Sequence, residues 1–350
     1  MSLEVYPPDF STRYEITHAI SIQMSAFYND QGKAQIVVAS NDYNINALKK
    51  NSILFDTVRG TTYLIVSVKC DTTQNRITAN GITTEIMLNK RVVAAKKQIT
   101  VIETGVYDII NDNLRDLPKI STATVKGLPE TWQPDDPQTE ENESEVYGEQ
   151  VLDAITPILE YGELGRRMNW NPNTLEWVFE IYKGVDLTSG IHAIAFAEEQ
   201  GTCADLIIDD DISTFKNYAY VSYRVDNKDK IVEVGDAEAG ERYELWLGTG
   251  ITKETNESAQ KTKERAISYG QLELGKRINR HSFSVVVDAS ELGQLYNIGD
   301  IVVCSSVRFG VKFNARITGV TYTMDYRGEK TAVQLGDPIL TALGELKLNG

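Results

Sequence analysis

The stretch of the sequence that most resembles a chemical site is ADLIIDDDISTFKNYAYVSYR, which holds three consecutive aspartates, Asp209, Asp210 and Asp211. Carboxylate oxygens are ligands that calcium prefers, so a metal site is one interpretation. In an extended chain, however, adjacent side chains point to opposite faces, and consecutive aspartates cannot all converge on one ion. Asp occupies turns readily. We therefore predict a solvated turn after the strand DLII, with a metal site as the alternative.

Other groups that could do acid–base or nucleophilic chemistry lie outside recognisable motifs. The three histidines, His18, His192 and His281, belong to no HExxH motif, and the chain has no GxSxG elbow and no Walker A loop. The glycines of VGDAEAGER precede a strand pattern, so we predict a hairpin turn there and not a nucleotide loop. With 50 acidic residues, the sequence cannot single out a glycosidase-like pair of carboxylates. It predicts no catalytic, cofactor-binding or metal-binding residues.

The bulk composition describes a globular protein without a membrane or secretion signal. The chain has 350 residues, a net charge of −15 and no apolar run long enough to cross a bilayer. Cys70, Cys203 and Cys304 form no CxxC pattern, so we interpret them as small core residues in a reducing compartment. The negative charge disfavours electrostatic binding to phosphate backbones.

The first 100 residues and the last 75 alternate apolar and polar residues between turn formers, which predicts antiparallel strands. Helices are predicted over 83–94, over 104–117 with Thr104 as a potential cap, and over 149–165 with Pro157 as a local defect. A long amphipathic helix is predicted over 256–277. Between these elements, residues 127–150 hold three prolines and eight acidic residues, which favours a solvated acidic loop over a calcium site.

The clearest local pattern is a β-hairpin that follows the third helix. Met168 and Trp170 alternate with polar residues, NPNT supplies the turn, and Trp177 and Phe179 alternate again after it.

The segments from this helix onward resemble, in order, the tail-tip hub proteins of siphophages, the short relatives of tail-associated lysins that share the myophage baseplate hub fold. LEWVFEIYKGVDLT, FKNYAYV, GERYELWL, YNIGDIVV and TAVQLGD carry the resemblance, which is dense from about residue 150 to 337. The matching positions are Trp177, Phe179, Gly184, Asp186, Thr188, Lys216, Asn217, Tyr220, Val221, Gly299 and Asp300.

This resemblance implies a mainly β fold with α+β parts: two related small β-barrels, an intervening α/β domain and a helix-bearing inserted domain. The domain boundaries that we expect are a first barrel over 1–95, an α/β domain over 96–185, a second barrel over 186–204 and 278–350, and an inserted α/β domain over 205–277. The chain ends soon after the last expected barrel strand, so we expect no C-terminal lysin or receptor-binding domain.

The resemblance also implies a function. A homotrimer forms a ring that meets the distal tail protein, the tape-measure protein reaches this ring, and DNA passes through its lumen. The protein is then a non-enzymatic virion component of the tail tip, made in the host cytoplasm, with no cofactor and no membrane-spanning segment. A chain with a charge of −15 is consistent with a lumen that lets DNA pass.

Two alternatives remain open. The first is a carbohydrate-binding or cell-wall-degrading module of the tail tip, which exposed indoles of Trp132, Trp170, Trp177 or Trp246 beside two carboxylates would favour. The second is the hub of a contractile injection system, which differs from a phage hub in genomic neighbourhood and not in residues.

Overall fold

The computed structural model describes residues 3–113, 120–122, 145–204, 206–211, 213–235, 241–253, 257–275, 277, 280–287 and 291–339. The chain divides into two compact units. Unit 1 comprises Met1–Trp132, Val146–Ile207 and Phe283–Gly350, and unit 2 comprises Gln133–Glu145 and Ile208–Ser282.

The elements before residue 150 are mostly strands. They are β1 (Leu3–Tyr6), β2 (Tyr14–Ile16), β3 (Ser21–Phe27), β4 (Lys33–Ala39), α1 (Asp42–Ala47), β5 (Ile53–Asp56), β6 (Thr61–Asp71), β7 (Arg76–Thr83), a 3₁₀ helix (Thr84–Lys90), β8 (Lys97–Gln98), α2 (Ile102–Asn113), β9 (Ile120–Thr122) and β10 (Glu145–Val146).

The elements after residue 150 are α3 (Val151–Tyr161), β11 (Gly165–Asn171), β12 (Glu176–Tyr182), β13 (Ala195–Ala197), a second 3₁₀ helix (Glu198–Gln200), β14 (Leu206–Asp211), β15 (Tyr218–Val225), β16 (Lys228–Gly235), β17 (Glu244–Thr252), α4 (Ala259–Gly275), β18 (Arg280–Val287), β19 (Ile301–Ser306), β20 (Val311–Asp325) and β21 (Gly328–Ile339).

One 13-stranded sheet joins the strands from both ends of the sequence, in the order β14-β18-β21-β20-β3-β4-β7-β6-β5-β1-β2, with β19 beside β20 and β13 beside β19. The join is the antiparallel pair of β3 and β20, which runs from Phe27 opposite Gly319 to Ile22 opposite Met324. The mainly β fold is thus confirmed. The two barrels and the four-domain division stay a prediction.

The N-terminal strands bury every second side chain. In β4 the buried residues are Ala34, Ile36 and Val38, and they pack with Ile77 and Ala79 of β7. Burying an aliphatic side chain of this size contributes roughly 1.5–3 kcal/mol, so this alternation sets which face of the sheet meets the core.

A second core in unit 1 lies between two helices and a small sheet. Helix α2 contributes Ile102, Val106, Ile109 and Ile110, and α3 packs against it. The predicted hairpin is confirmed: β11 and β12 pair in register from Gly165 opposite Tyr182 to Asn171 opposite Glu176, and β9 pairs parallel to β12.

Unit 2 contains the three-stranded sheet β16-β15-β17 with α4 packed on one face. Residues of alternate sheet positions form its core with the helix; they include Ala219, Val221, Val232, Leu247 and Ala266. The hairpin turn predicted at VGDAEAGER is wrong, because β16 and β17 pair with opposite edges of β15. Residues 236–240 of that connection lie outside the described part of the chain.

The structure corrects three further local predictions. Asp209, Asp210 and Asp211 do not form a turn: they belong to β14, since the neighbouring strand β18 continues the sheet there and tertiary pairing overrides the turn preference of Asp. Helix α2 begins at Ile102 and includes Thr104, because the buried side chain of Ile102 extends the apolar face. The predicted helix over 83–94 is a 3₁₀ helix.

The other two predicted helices are shorter than expected, as α3 and α4, and Pro157 lies inside α3. Within the acidic stretch 127–150, residues 127–144 fall outside the described part of the chain. Of the three free cysteines, Cys203 and Cys304 are buried as predicted, whereas Cys70 is exposed on β6.

Candidate functional site

The residues that carry the sequence resemblance occupy three places in the fold. Trp177 and Phe179 lie in β12, inside the core of unit 1. Gly184, Asp186, Thr188, Gly299 and Asp300 come together where the segment after the hairpin meets β19, and we call this region the junction. Lys216, Asn217 and Tyr220 lie in unit 2 at or near the start of β15.

The hairpin side chains are structural. Trp170 and Trp177 are buried, and their ring centroids lie 4.2 Å apart across the β11–β12 pair. Tyr6 meets Trp170 edge-on at 5.7 Å and Phe10 stacks on it at 5.6 Å. These contacts hold the first strand of the chain against the hairpin.

The junction requires two glycines in direct backbone contact. A Cβ atom placed on Gly184 would lie 1.8 Å from the carbonyl oxygen of Gly299 and 2.6 Å from the backbone nitrogen of Asp300. Gly299 has a φ of +100°, which L residues rarely adopt, and a Cβ there would approach the Tyr28 ring to 2.5 Å. Both positions therefore exclude any side chain.

The carboxylate of Asp300 fastens the two segments. Asp300 is buried; its Oδ1 accepts a hydrogen bond of 2.8 Å from the backbone N–H of Val185, and its Oδ2 accepts one of 2.8 Å from that of Asn297. Backbone bonds continue the contact, because the N–H of Ile301 donates to the carbonyl of Val185 and that of Leu187 donates to the carbonyl of Ile301. The two segments are thus hydrogen-bonded to each other directly after the glycine pair.

Next in the chain, Asp186 and Thr188 shape the turn that leaves the junction. Oδ1 of Asp186 accepts a hydrogen bond of 2.9 Å from the backbone N–H of Thr188. Hydrogen bonds from the side chain and backbone of Thr188 lower the pKa of the Asp186 carboxyl. A carboxylate that is bonded in this way stabilises the turn and is not a proton donor.

Tyr28 is the residue of the junction that the sequence analysis missed. Its hydroxyl donates a hydrogen bond of 2.9 Å to the carbonyl of Glu163, and its ring meets that of Tyr182 edge-on at 5.2 Å. Arg316 lies over the ring and donates to the carbonyl of Gly299. No local pattern marks Tyr28, because its partners lie more than 100 residues away along the chain.

In unit 2, the side chain of Asn217 holds the start of β15 against the start of β17. Its Oδ1 accepts a hydrogen bond of 2.8 Å from the backbone N–H of Tyr243, and its Nδ2 donates one of 3.0 Å to the carbonyl of Glu241. The backbone N–H of Lys216 donates to the carbonyl of Arg277. The hydroxyl of Tyr220 lies 3.4 Å from Oε1 of Glu244.

A cavity of about 490 Å³ in unit 1 contains the charged groups Arg59, Arg166, Arg167 and Glu85 among its lining. Burial raises the pKa of Glu85 and lowers that of Arg166. Each guanidinium has a partner: Arg59 pairs with Asp56, Arg167 pairs with Glu180, and Arg166 donates to Thr156. Two of these three guanidinium groups are thus held by a carboxylate and the third by a hydroxyl.

The contacts of the junction and of Asn217 hold backbone segments together. In the described part of the chain, no three or more His, Cys, Asp or Glu side chains are placed to hold a metal ion. Among the same residues, no helix is long and apolar enough to span a membrane.

Solved structures that share this fold include three tail proteins. The tail protein of prophage MuSo2 from Shewanella oneidensis aligns with a TM-score of 0.61 at 13% identity, covering 97% of this chain and 99% of its own. A tail protein from Neisseria meningitidis aligns at 0.59 and 11% identity, covering 96% of each chain. Prophage tail protein gp18 from Listeria monocytogenes aligns at 0.53 and 14% identity, covering 95% of this chain and 94% of its own.

No curated protein matches the sequence significantly. A family model does match, and it does so over residues 2–337, nearly the whole described chain. This match and the shared tail-protein fold confirm the resemblance read from the sequence. The chain belongs to the family described as Siphovirus ReqiPepy6 Gp37-like protein and shares the fold of these tail proteins.

Proposed function

We propose that the protein is a structural hub of a phage or prophage tail tip, in which three copies close a ring. The observation that carries this proposal is the family match over residues 2–337 together with a continuous sheet that joins the two regions predicted as barrels. In this arrangement the ring joins the distal tail protein above it. The tape-measure protein reaches the ring, and DNA leaves through its lumen.

The site chemistry supports a structural role. At the junction, buried and backbone-bonded groups such as Asp300 and Tyr28 fix the path of the chain, which is what a ring subunit needs to present a constant surface. The charge of −15 supports a lumen that does not retain DNA, because retention requires clustered Lys and Arg. We therefore propose no enzymatic activity.

Electron cryomicroscopy of the purified chain bound to its distal tail protein tests the ring. The expected result is three copies per assembly, and light scattering of the complex should show a contribution of three times the 39.1 kDa chain mass. Two or six copies at this position, or a chain on the outer surface of the tail, would contradict the proposal.

A zymogram with host cell walls tests the absence of catalysis. The purified chain should give no clearing, whereas a positive control hydrolase clears the gel. Reproducible clearing by the chain would favour the cell-wall-degrading alternative. The contractile injection-system alternative is decided by the genes beside the coding sequence: a sheath gene next to it would favour that system.

The exposure of the tryptophan side chains bears on the carbohydrate-binding alternative. Trp170 and Trp177 are buried, so they cannot contact a sugar, and Trp132 lies outside the described residues. Trp246 is 60% exposed. Among the tryptophans of the described residues, Trp246 is the one whose indole can contact a sugar.

A further inference from the structure

The exposed indole of Trp246 belongs to a sheet face that no element of unit 2 covers among the described residues. The side chains on one side of β16-β15-β17 pack against α4. The register places Tyr220 opposite Glu233 of β16 and opposite Trp246 of β17, so these three residues share the other side. We call this side the open face. Its members are Tyr218, which is itself buried, Tyr220, Ser222, Ile231, Glu233, Glu244, Trp246 and Gly248, with the ion pair of Arg224 and Asp229 at one end.

The aromatic side chains of the open face are held in place. The hydroxyl of Tyr218 donates a hydrogen bond of 2.6 Å to Oε2 of Glu233, and its ring meets that of Tyr220 edge-on at 5.6 Å. The guanidinium of Arg242 lies 4.2 Å from the centre of the Tyr218 ring. Side chains that are already ordered lose little entropy when a ligand binds.

The surface around the indole of Trp246 is open. A Cβ on Gly248 would meet only the indole nitrogen, at 3.8 Å, and a Cβ on Gly250 would meet nothing within 4 Å. These two glycines leave the indole accessible from the C-terminal side of β17 as well as from above. On the adjacent strand, Ile231 is also exposed.

The charges of the open face restrict the class of ligand. Glu233 lies directly beside Tyr220 in the register, and Glu244 is opposite Tyr218. The guanidinium groups at this face, Arg224 paired with Asp229 and Arg242 over Tyr218, do not outnumber its carboxylates, so the face does not suit a nucleic acid, which needs an excess of cations beside stacking rings. Its carboxylates, Glu233 and Glu244 among them, repel phosphate. They also do not suit the core of a protein interface, which is depleted of Glu and Asp.

Uncharged, hydroxyl-rich ligands fit both the carboxylates and the aromatic rings of the open face. Carboxylate oxygens accept hydrogen bonds from hydroxyl groups, and such charge-assisted bonds are the stronger kind. Flat aromatic rings bury the apolar C–H side of a sugar. Because adjacent strands lie about 4.8 Å apart, the row from Glu233 through Tyr220 to Trp246 spans about 10 Å, enough for more than one sugar unit.

We propose that the open face of unit 2 binds an uncharged glycan chain. The C–H faces of the sugar pack on Trp246 and Tyr220, and sugar hydroxyls donate to the carboxylates of Glu233 and Glu244. This activity is separate from the proposed ring function: a structural hub can carry the glycan site or lack it.

Affinity electrophoresis of the full chain through native gels that contain dextran, galactomannan or a soluble β-glucan tests the proposal. The wild-type chain should be retarded by at least one polymer. Trp246→Ala should weaken the apparent affinity at least about tenfold, the usual effect of truncating a central aromatic contact. Trp246→Tyr should recover part of the retardation. The matched control is Tyr326→Ala, which removes an aromatic side chain that is 85% exposed in unit 1 and should leave retardation unchanged.

Three results would overturn the proposal. The first is no retardation by any of the polymers, and the second is equal retardation of the wild type and Trp246→Ala. The third is loss of self-association, or of poly-lysine binding, in Trp246→Ala without a change in retardation, which would assign the face to a second copy or to a cationic polypeptide. Thermal unfolding of each variant establishes that it is folded, which is expected because Trp246 and Tyr326 are both exposed.

Discussion

Replacing Asp300 with Ala should destabilise unit 1, because two backbone N–H groups would lose their acceptor. These are the N–H groups of Val185 and Asn297, each 2.8 Å from a carboxylate oxygen of Asp300. A buried N–H without an acceptor costs about 1–3 kcal/mol, and we take about 1–2 kcal/mol each because both bonds are only part-buried. The free energy of unfolding should therefore fall by about 2–4 kcal/mol.

The conservative variant Asp300→Asn separates hydrogen bonding from side-chain volume. An amide group keeps one acceptor oxygen but presents an NH₂ group to the second N–H, so only one of the two bonds survives. We expect a loss of about 1–2 kcal/mol, between the wild type and Asp300→Ala.

Urea unfolding followed by tryptophan fluorescence measures these losses. In a background that carries Trp132→Phe and Trp246→Phe, the remaining tryptophans, Trp170 and Trp177, both lie in the core of unit 1, so the signal reports that unit. The variants Asp300→Ala and Asp300→Asn are compared in this background.

Asp71→Ala is the matched control. Oδ1 of Asp71 also accepts two backbone hydrogen bonds, from Thr73 and Gln74 at 2.9 Å each, but in an exposed turn where water can replace it. Its loss should be much smaller than that of Asp300→Ala. Equal losses for the two alanine variants would refute the reasoning, since the burial of a carboxylate would then not determine its contribution to the free energy of unfolding.

Three further predictions concern other sites of unit 1. Gly184→Ala should prevent the junction from closing and lower the yield of folded protein, measured by soluble expression and thermal unfolding, because its Cβ would lie 1.8 Å from the carbonyl oxygen of Gly299. Burial raises the folded-state pKa of Glu85 above its ordinary 4.5, so the native state binds the proton more tightly than the unfolded state does. The free energy of unfolding should therefore fall as pH rises above about 4.5. Glu85→Gln should flatten this pH dependence in urea titrations, and an unchanged slope would contradict the prediction. A thiol reagent should label the exposed Cys70 rapidly in the native protein, and Cys203 and Cys304, which are buried, only after unfolding. Burial also raises the pKa of Cys304 to about 12, which keeps its thiol protonated. Rapid labelling of more than one thiol would be inconsistent with this packing.

The sequence predicts elements whose contacts are local. The hairpin over Gly165–Tyr182 follows from strict alternation around NPNT, and the structure confirms it. The buried stripe of α2 also follows from spacing, although the helix begins at Ile102 and not after Thr104. In both cases the residues that decide the structure lie within one turn or one hairpin of each other.

Contacts between distant segments leave no local pattern. Asp209 to Asp211 have a turn composition, yet they extend a strand because β18 lies beside them. Tyr28 stands in an ordinary strand-end sequence, and only the fold brings it to Glu163, Gly165 and Gly299. Gly299 and Asp300 were identified through the family resemblance, but their contact with the Gly184 segment was visible only in three dimensions.

The pairing of β3 with β20 affects how the protein is made. Phe27 lies opposite Gly319, so one edge of β3 stays without its partner until most of the chain has left the ribosome. At about 5–20 residues per second, that interval is on the order of 15–60 s. An unpaired strand edge is a template for aggregation, and incomplete chains carry such an edge permanently. A chain that stops before β20 therefore cannot complete the sheet, and we expect it to aggregate and not to fold.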